Sequence, residues 1–195
     1  TIAFSPDGRS VLTSSHDKTA KVYSASSGEC QVTFAGHTAR VYMASFSKDG
    51  RKVATASGDA TAKVWDAATG ECLLTLEGHQ NSVYMAVWNE AGGKVATASN
   101  DSSARLFDAT TGECERIFQG HTLAVHTVAW SPDESMVLTA SDDRSVRLFD
   151  VASGACLRVF EGFGEHVFSA VFHHSGSHFL TASEDGLAKL FTVSA

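Results

Sequence analysis

The stretch Gly36–Asp66, GHTARVYMASFSKDGRKVATASGDATAKVWD, decides how this chain is read. It opens on a Gly-His pair, closes on a Trp-Asp pair, and holds three short apolar runs separated by polar turns. The rest of the sequence copies it. Gly-His recurs at Gly78-His79 and Gly120-His121, a constant step of 42 residues, and one further step reaches Gly162, where the partner is Phe163. Cys30, Cys72, Cys114 and Cys156 keep the same step. A fixed period of this size signals a repeat architecture and outranks local propensity. Within the period, runs such as Lys52–Ser57 are short, rich in small and β-branched residues, and bounded by turn residues. That predicts strands, and the lack of any sustained 3.6-residue periodicity predicts almost no helix.

A 42-residue spacing with Gly-His early and Trp-Asp late resembles the WD-repeat family of β-propellers, over the whole chain. The resemblance implies an all-β fold in which each repeat is a blade of four antiparallel strands around a central channel. The repeats run approximately 1–35 (partial), 36–77, 78–119, 120–161 and 162–195 (partial), in a single array spanning 1–195. Repeat one begins inside its first strand, near Thr1, and repeat five has three strands without a fourth. An incomplete ring is therefore expected, a fragment of a larger propeller; seven blades are common in the family. Unpaired edges at both ends predict self-association.

Composition bounds the partners. Hydrophobic residues make up 43% of the 195, enough for a packed core, and the formal net charge is −7. The acidic balance argues against nucleic acid or anionic membrane as the partner, since both require a basic patch. No run of 18 apolar residues is present, so no membrane span is predicted. The four cysteines are copies of one site set a blade apart, well beyond the ~7 Å Cα limit for a disulfide. Free thiols fit a cytoplasmic or nuclear compartment.

Each repeat carries Ser-x-Asp between its second and third strands: Ser15/Asp17, Ser57/Asp59, Ser99/Asp101, Ser141/Asp143 and Ser183/Asp185. An aromatic follows each Asp by six residues: Tyr23, Trp65, Phe107, Phe149 and Phe191. Ser, His and Asp are also the ingredients of a nucleophilic triad. The resemblance instead implies a structural tetrad of His, Ser, Asp and Trp, in which Asp accepts from the His ring and His meets the Ser hydroxyl and the indole. Repetition favours the tetrad, because an enzyme needs one nucleophile and a staple is needed once per blade. Only His37, Ser57, Asp59 and Trp65 form a complete set. His79/Ser99/Asp101 and His121/Ser141/Asp143 lack an indole, and Phe163 removes the His from repeat five.

In the family, the inner-strand starts and the turns before the tetrad Asp meet on one face of the channel, where partner peptides often bind. By register this face holds Arg40, Tyr42, Tyr84, His126, His166 and Phe168, with His16, Gly58, Asn100, Asp142 and Glu184 from the turns. Tyr42, Tyr84, His126 and Phe168 set a ring at one position in four repeats, either as anchors for a partner or as interblade packing. Variable members such as Arg40, Asp142 and Glu184 are the better specificity candidates. A cation two places before each repeat's aromatic (Lys21, Lys63, Arg105, Arg147, Lys189) reads as a solvated or interblade ion pair. His173, His174 and His178 flank a solvent-facing turn with no carboxylate or Cys nearby in sequence, so no metal site is expected there.

The reading is a non-catalytic scaffold for protein or peptide partners, with no cofactor and no small-molecule substrate. The alternatives are a substrate-recognition module of a larger ubiquitin-ligase or kinase-type protein and, from another class, a propeller hydrolase.

Overall fold

The computed structural model describes residues 1–193, and among these there is no helix. Nineteen short strands form five separate antiparallel sheets. Blade one is β1 (Ile2–Phe4), β2 (Ser10–Ser14), β3 (Thr19–Ser24) and β4 (Cys30–Ala35). Blade two is β5 (Val41–Phe46), β6 (Lys52–Ser57), β7 (Ala62–Asp66) and β8 (Cys72–Leu76). Blade three is β9 (Val83–Trp88), β10 (Lys94–Ser99), β11 (Ala104–Asp108) and β12 (Cys114–Phe118). Blade four is β13 (Val125–Trp130), β14 (Met136–Ser141), β15 (Val146–Asp150) and β16 (Cys156–Phe160). Blade five has β17 (Val167–Phe172), β18 (His178–Ser183) and β19 (Ala188–Thr192). Every blade is a meander, each strand pairing with the next in sequence.

The inner strand of blade two starts at Val41, because the Arg40 carbonyl leaves the ladder to accept from the Gly58 N–H at 2.9 Å. The third strand starts at Ala62 rather than Thr61, because Thr61 commits its N–H and hydroxyl to Asp59 Oδ1, at 3.1 and 2.7 Å.

The core lies between blades. Ala54, Ala56, Ala62, Val64 and Leu76 of blade two pack on Val83, Ala86, Val95 and Phe107 of blade three. The same positions, one period on, build the next two junctions. Small side chains on the second and third strands let the sheets approach, and bulkier ones on the following blade fill the gap. β6, β10 and β14 are consequently buried on both faces from their second residue onward. In β18 the alternation of a one-sided strand returns, with Leu180 50% exposed where its counterpart Leu138 is fully buried. At the opposite end Ile2 and Phe4 are exposed. The two ends do not meet, and the arrangement is an open arc of blades.

Candidate binding face and the repeated staple

The staple forms where a Gly-His turn folds back on its own blade. His37 Nδ1 lies 2.8 Å from Asp59 Oδ2, and the same contact is 2.7 Å for His79–Asp101 and 2.8 Å for His121–Asp143. The Asp is already crowded with donors. Asp59 accepts from the Thr61 hydroxyl, the Thr61 N–H and the Thr38 N–H. Burial alone would raise its pKa; the hydrogen bonds, led by Thr61, outweigh burial and hold it at about 2. Asp101 is likewise held at about 2 against burial, by Ser103, the Gln80 N–H and His79, and Asp143 is pushed lower still. Burial lowers His37 and His79 from their usual value despite the adjacent carboxylates, which favours the neutral ring.

The hydroxyl that completes the chain is not the Ser that the resemblance implies. His37 Nε2 lies 2.7 Å from Thr55 Oγ1, and the Trp65 indole N–H donates to that same oxygen at 2.8 Å. With Nδ1–H directed at Asp59, Nε2 accepts from the Thr55 hydroxyl. Thr97 and Thr139 occupy the equivalent places beside His79 and His121. The choice of Thr over Ser has a geometric cause. Residues 55 and 57 share one face of β6, and Trp65 pairs with Val53, so the indole reaches only the nearer hydroxyl. Ser57, one pleat closer to the turn, donates to the Ala39 carbonyl and accepts from the Asp59 N–H. Ser99 and Ser141 do the same for their own turns. Thr55, Thr97 and Thr139 are fully buried, beyond the reach of a substrate.

The recurring cation is not an ion pair in these blades. Lys63 Nζ donates to Thr75 Oγ1 at 2.8 Å, and Lys189 Nζ donates to the Gly162 carbonyl. The Arg105 and Arg147 guanidiniums lie under the Gly of their own repeat's Gly-His pair. A Cβ on Gly78 would fall 2.7 Å from Arg105 Nη1, and one on Gly120 2.6 Å from Arg147 Nη1. Both glycines also have positive φ, so the pair needs Gly for conformation, while a shift of the flexible guanidinium could relieve the contact.

The ring positions are set by a feature invisible to the repeat. The ladder between first and second strands slips at one residue in each of blades two to five. Val41 pairs with Ser57 and Met43 with Ala56, which leaves Tyr42 unopposed. The slip leaves Tyr84, His126 and Phe168 unopposed in the same way. All four rings therefore sit on β-bulges, which re-aim a side chain out of the pleat. The rings meet in sequence along the arc. Centroid separations are 5.2 Å for Tyr42–Tyr84, Tyr84–His126 and His126–Phe168, with the middle pair stacked at 8° and the outer two edge-on. His16 joins the blade-one end, 6.3 Å from Tyr42. The rings form one ridge that packs between blades yet stays partly open, and Phe168 is 43% exposed.

Charge varies along this ridge. Exposed Arg40 flanks Tyr42, its stem beside Gly58. Asn100 follows at blade three, its N–H on the Ser82 carbonyl. Asp142 Oδ1 is hydrogen-bonded to His126 Nε2 at 2.6 Å and lies 3.2 Å from His166 Nδ1, and exposed Glu184 lies 3.5 Å from the latter. Burial raises the Tyr84 phenol pKa, aided by Tyr42 and the Asp142 charge. Elsewhere, His173 and His178 direct Nδ1 at Ser175 and Ser177, both at 2.8 Å. The four cysteines are free and exposed.

Four-stranded meanders stacked through their faces, stapled by His–Asp pairs and presenting their inner-strand bulges on one rim, define a β-propeller repeat array. The family model described as "WD domain, G-beta repeat" matches residues 1–24, 28–66, 70–108, 112–150 and 154–192, and the chain belongs to this WD40 family. Domains of this family generally mediate protein–protein interaction and are typically non-catalytic. A search among curated proteins returned no match.

Proposed function

We propose that this chain is a non-catalytic scaffold that binds an extended segment of a protein partner along the ring ridge. The observation that carries this reading is the bulge at Tyr42, Tyr84, His126 and Phe168. Bulges interrupt ladder hydrogen bonds, and interblade packing alone could be met by any large residue in regular register. Repeating the interruption in four blades sets a row of rings where a partner can reach them. Aromatic anchors of this kind supply most of the binding free energy in protein interfaces. The flanking residues Arg40, His16, Asn100, Asp142 and Glu184 then select the partner by charge and hydrogen bonding. Attachment to a ligase or kinase chain as its recognition module uses the same face, and a cytoplasmic or nuclear location suits the free thiols.

The test is affinity capture of partners on wild-type chain, Tyr84→Ala and, as a control on an outer strand, Leu73→Ala. Tyr84→Ala should lose partners that Leu73→Ala keeps, with unchanged circular dichroism. Equal capture by Tyr84→Ala and wild type refutes the ridge as the binding face.

A further inference from the structure

At the junction of blades four and five, the same rim gathers groups that the staple does not use, among them Asp142 and Glu184 beside the ring ridge. Glu165, His166 and Glu184 each bring one donor atom into a set lying within 4.8 Å of one another. Asp142 approaches the same imidazole from the neighbouring blade, at 3.2 Å from His166 Nδ1, while Glu184 Oε2 stands at 3.5 Å. We propose that this junction is a binding site for a divalent transition-metal ion of the zinc class. His166, Glu184 and Glu165 are its ligands, and Asp142 closes the set from blade four.

Geometry is the first argument. A tetrahedral ion with bonds of about 2.0–2.1 Å to nitrogen and oxygen sets neighbouring ligand atoms about 3.3 Å apart. The two separations around His166 Nδ1 bracket that edge, and exposed Glu165 closes the remainder by a side-chain rotation. Charge is the second. Three carboxylates converge here, and of these Glu165 lies 3.3 Å from Arg144, itself about half exposed. A bound cation offsets their mutual repulsion more completely than a surface guanidinium. Donor type is the third. An imidazole among carboxylates suits zinc and its neighbours, whereas calcium and magnesium take oxygen alone.

The backbone beneath Glu184 and Asp142 is fixed. The Glu184 N–H donates to the His166 carbonyl at 2.9 Å, and the Asp142 N–H to the Ala124 carbonyl at 3.0 Å, so each turn is tied to its inner strand. His126 holds Asp142 at 2.6 Å from the far side, the type of outer contact that orients a metal-binding carboxylate. None of this is demanded by the repeat. One period earlier, Glu165 and His166 correspond to Leu123 and Ala124; two periods earlier, to Asn81 and Ser82. Those blades make the same turn without a donor set.

The ion would bridge two blades and so fasten blade five, whose outer face is open. Binding to the folded state alone stabilises it by mass action. The experiment is calorimetric titration with zinc chloride of the chain with Cys30, Cys72, Cys114 and Cys156 each changed to Ser, which removes the exposed thiols as competing ligands. One saturable site is expected, weakened at least about tenfold by His166→Ala and by Glu184→Gln. It should persist when His173, His174 and His178 are all changed to Ala. In the same protein, zinc should slow amide exchange in β17–β19. No saturable heat, an unchanged Kd in His166→Ala, or loss of binding on removing the three-His loop would each overturn the proposal.

Discussion

Replacing Thr55 by Val preserves shape and removes one oxygen. That oxygen lies 2.7 Å from His37 Nε2 and 2.8 Å from Trp65 Nε1, and Thr55 is fully buried. The substitution therefore strands two polar groups with no water to replace the hydroxyl. An unsatisfied buried group costs about 1–3 kcal/mol, so the loss should be about 2–5 kcal/mol. Thr97→Val strands His79 Nε2 and removes one long bond of 3.4 Å to the Arg105 carbonyl, with no indole to strand at Phe107, and should cost about 1–3 kcal/mol. Thr181→Val strands neither, because Phe163 stands where the His would be. Its hydroxyl makes one long bond of 3.4 Å to the Lys189 carbonyl, and the cost should be under about 1 kcal/mol. The assay is urea unfolding of the three variants beside wild type, compared through midpoints at constant slope. Backbone, burial and side-chain volume are matched, so the ordering Thr55, Thr97, Thr181 reports the number of stranded partners. Equal midpoints across the series would refute the view that the hydroxyl is the centre of the staple. A Ser57→Ala loss as large as that of Thr55→Val would return the role to Ser57.

Three other outcomes follow from the same geometry. Gly78→Ala should destabilise by about 1–3 kcal/mol, since its Cβ would meet Arg105 Nη1 at 2.7 Å and φ is +125°; adding Arg105→Ala should recover the steric part but not the conformational part, as read in urea midpoints. Stability should fall on acidification in two windows. His37 and His79, lowered by burial, stay neutral when folded, so the folded state binds fewer protons and loses ground as pH drops below their unfolded 6.5; Asp59 and Asp101, at about 2 against 3.8 unfolded, contribute fully above 3.8 and lose on the order of 1–2 kcal/mol each as pH falls towards 2. A midpoint unchanged between pH 7.5 and 4.5 would contradict the first window, and one unchanged between pH 4.5 and 2 the second. Asp59→Ala should cost more than Asp185→Ala by the same assay, because Asp59 holds His37 and the Thr61 hydroxyl, whereas Asp185 holds only the Ser183 hydroxyl and two backbone N–H groups of an exposed turn.

How far the sequence could be read depended on what the period records. His37, His79 and His121, with their Asp partners 22 residues on, repeat at 42, and the structure sets each pair at hydrogen-bond distance. The hydroxyl was not separable in this way. Thr55 and Ser57 both recur at the same step and lie on the same face of β6, so a period can say that both matter but not which one the imidazole touches. That difference of one pleat is a distance, and it exists only in the folded blade. The bulges at Tyr42, Tyr84, His126 and Phe168 escaped for a related reason. A bulge is a slip between two strands, and no residue type in either strand announces it. The cations misled because an expected ion pair presumes a carboxylate partner. Lys63 instead meets Thr75 on the outer strand of its own blade, and Arg105 runs beneath Gly78.

The turn before the staple carries this further. Positions 17, 59, 101, 143 and 185 are Asp in all five blades, because each must accept from its own turn. The position immediately before reads His16, Gly58, Asn100, Asp142 and Glu184. Backbone demand is the same in blades two to five, where the N–H of Gly58, Asn100, Asp142 and Glu184 donates to the carbonyl just before the inner strand at 2.9–3.0 Å. A site whose backbone is fixed and whose side chain is free to be anything from Gly to Glu is not selected by folding. Its side chains point to the rim where the rings emerge, and its charge turns acidic towards blades four and five. The constant residue of each turn is therefore accounted for by the blade, and the neighbouring variable residue is left to be accounted for by whatever the rim binds.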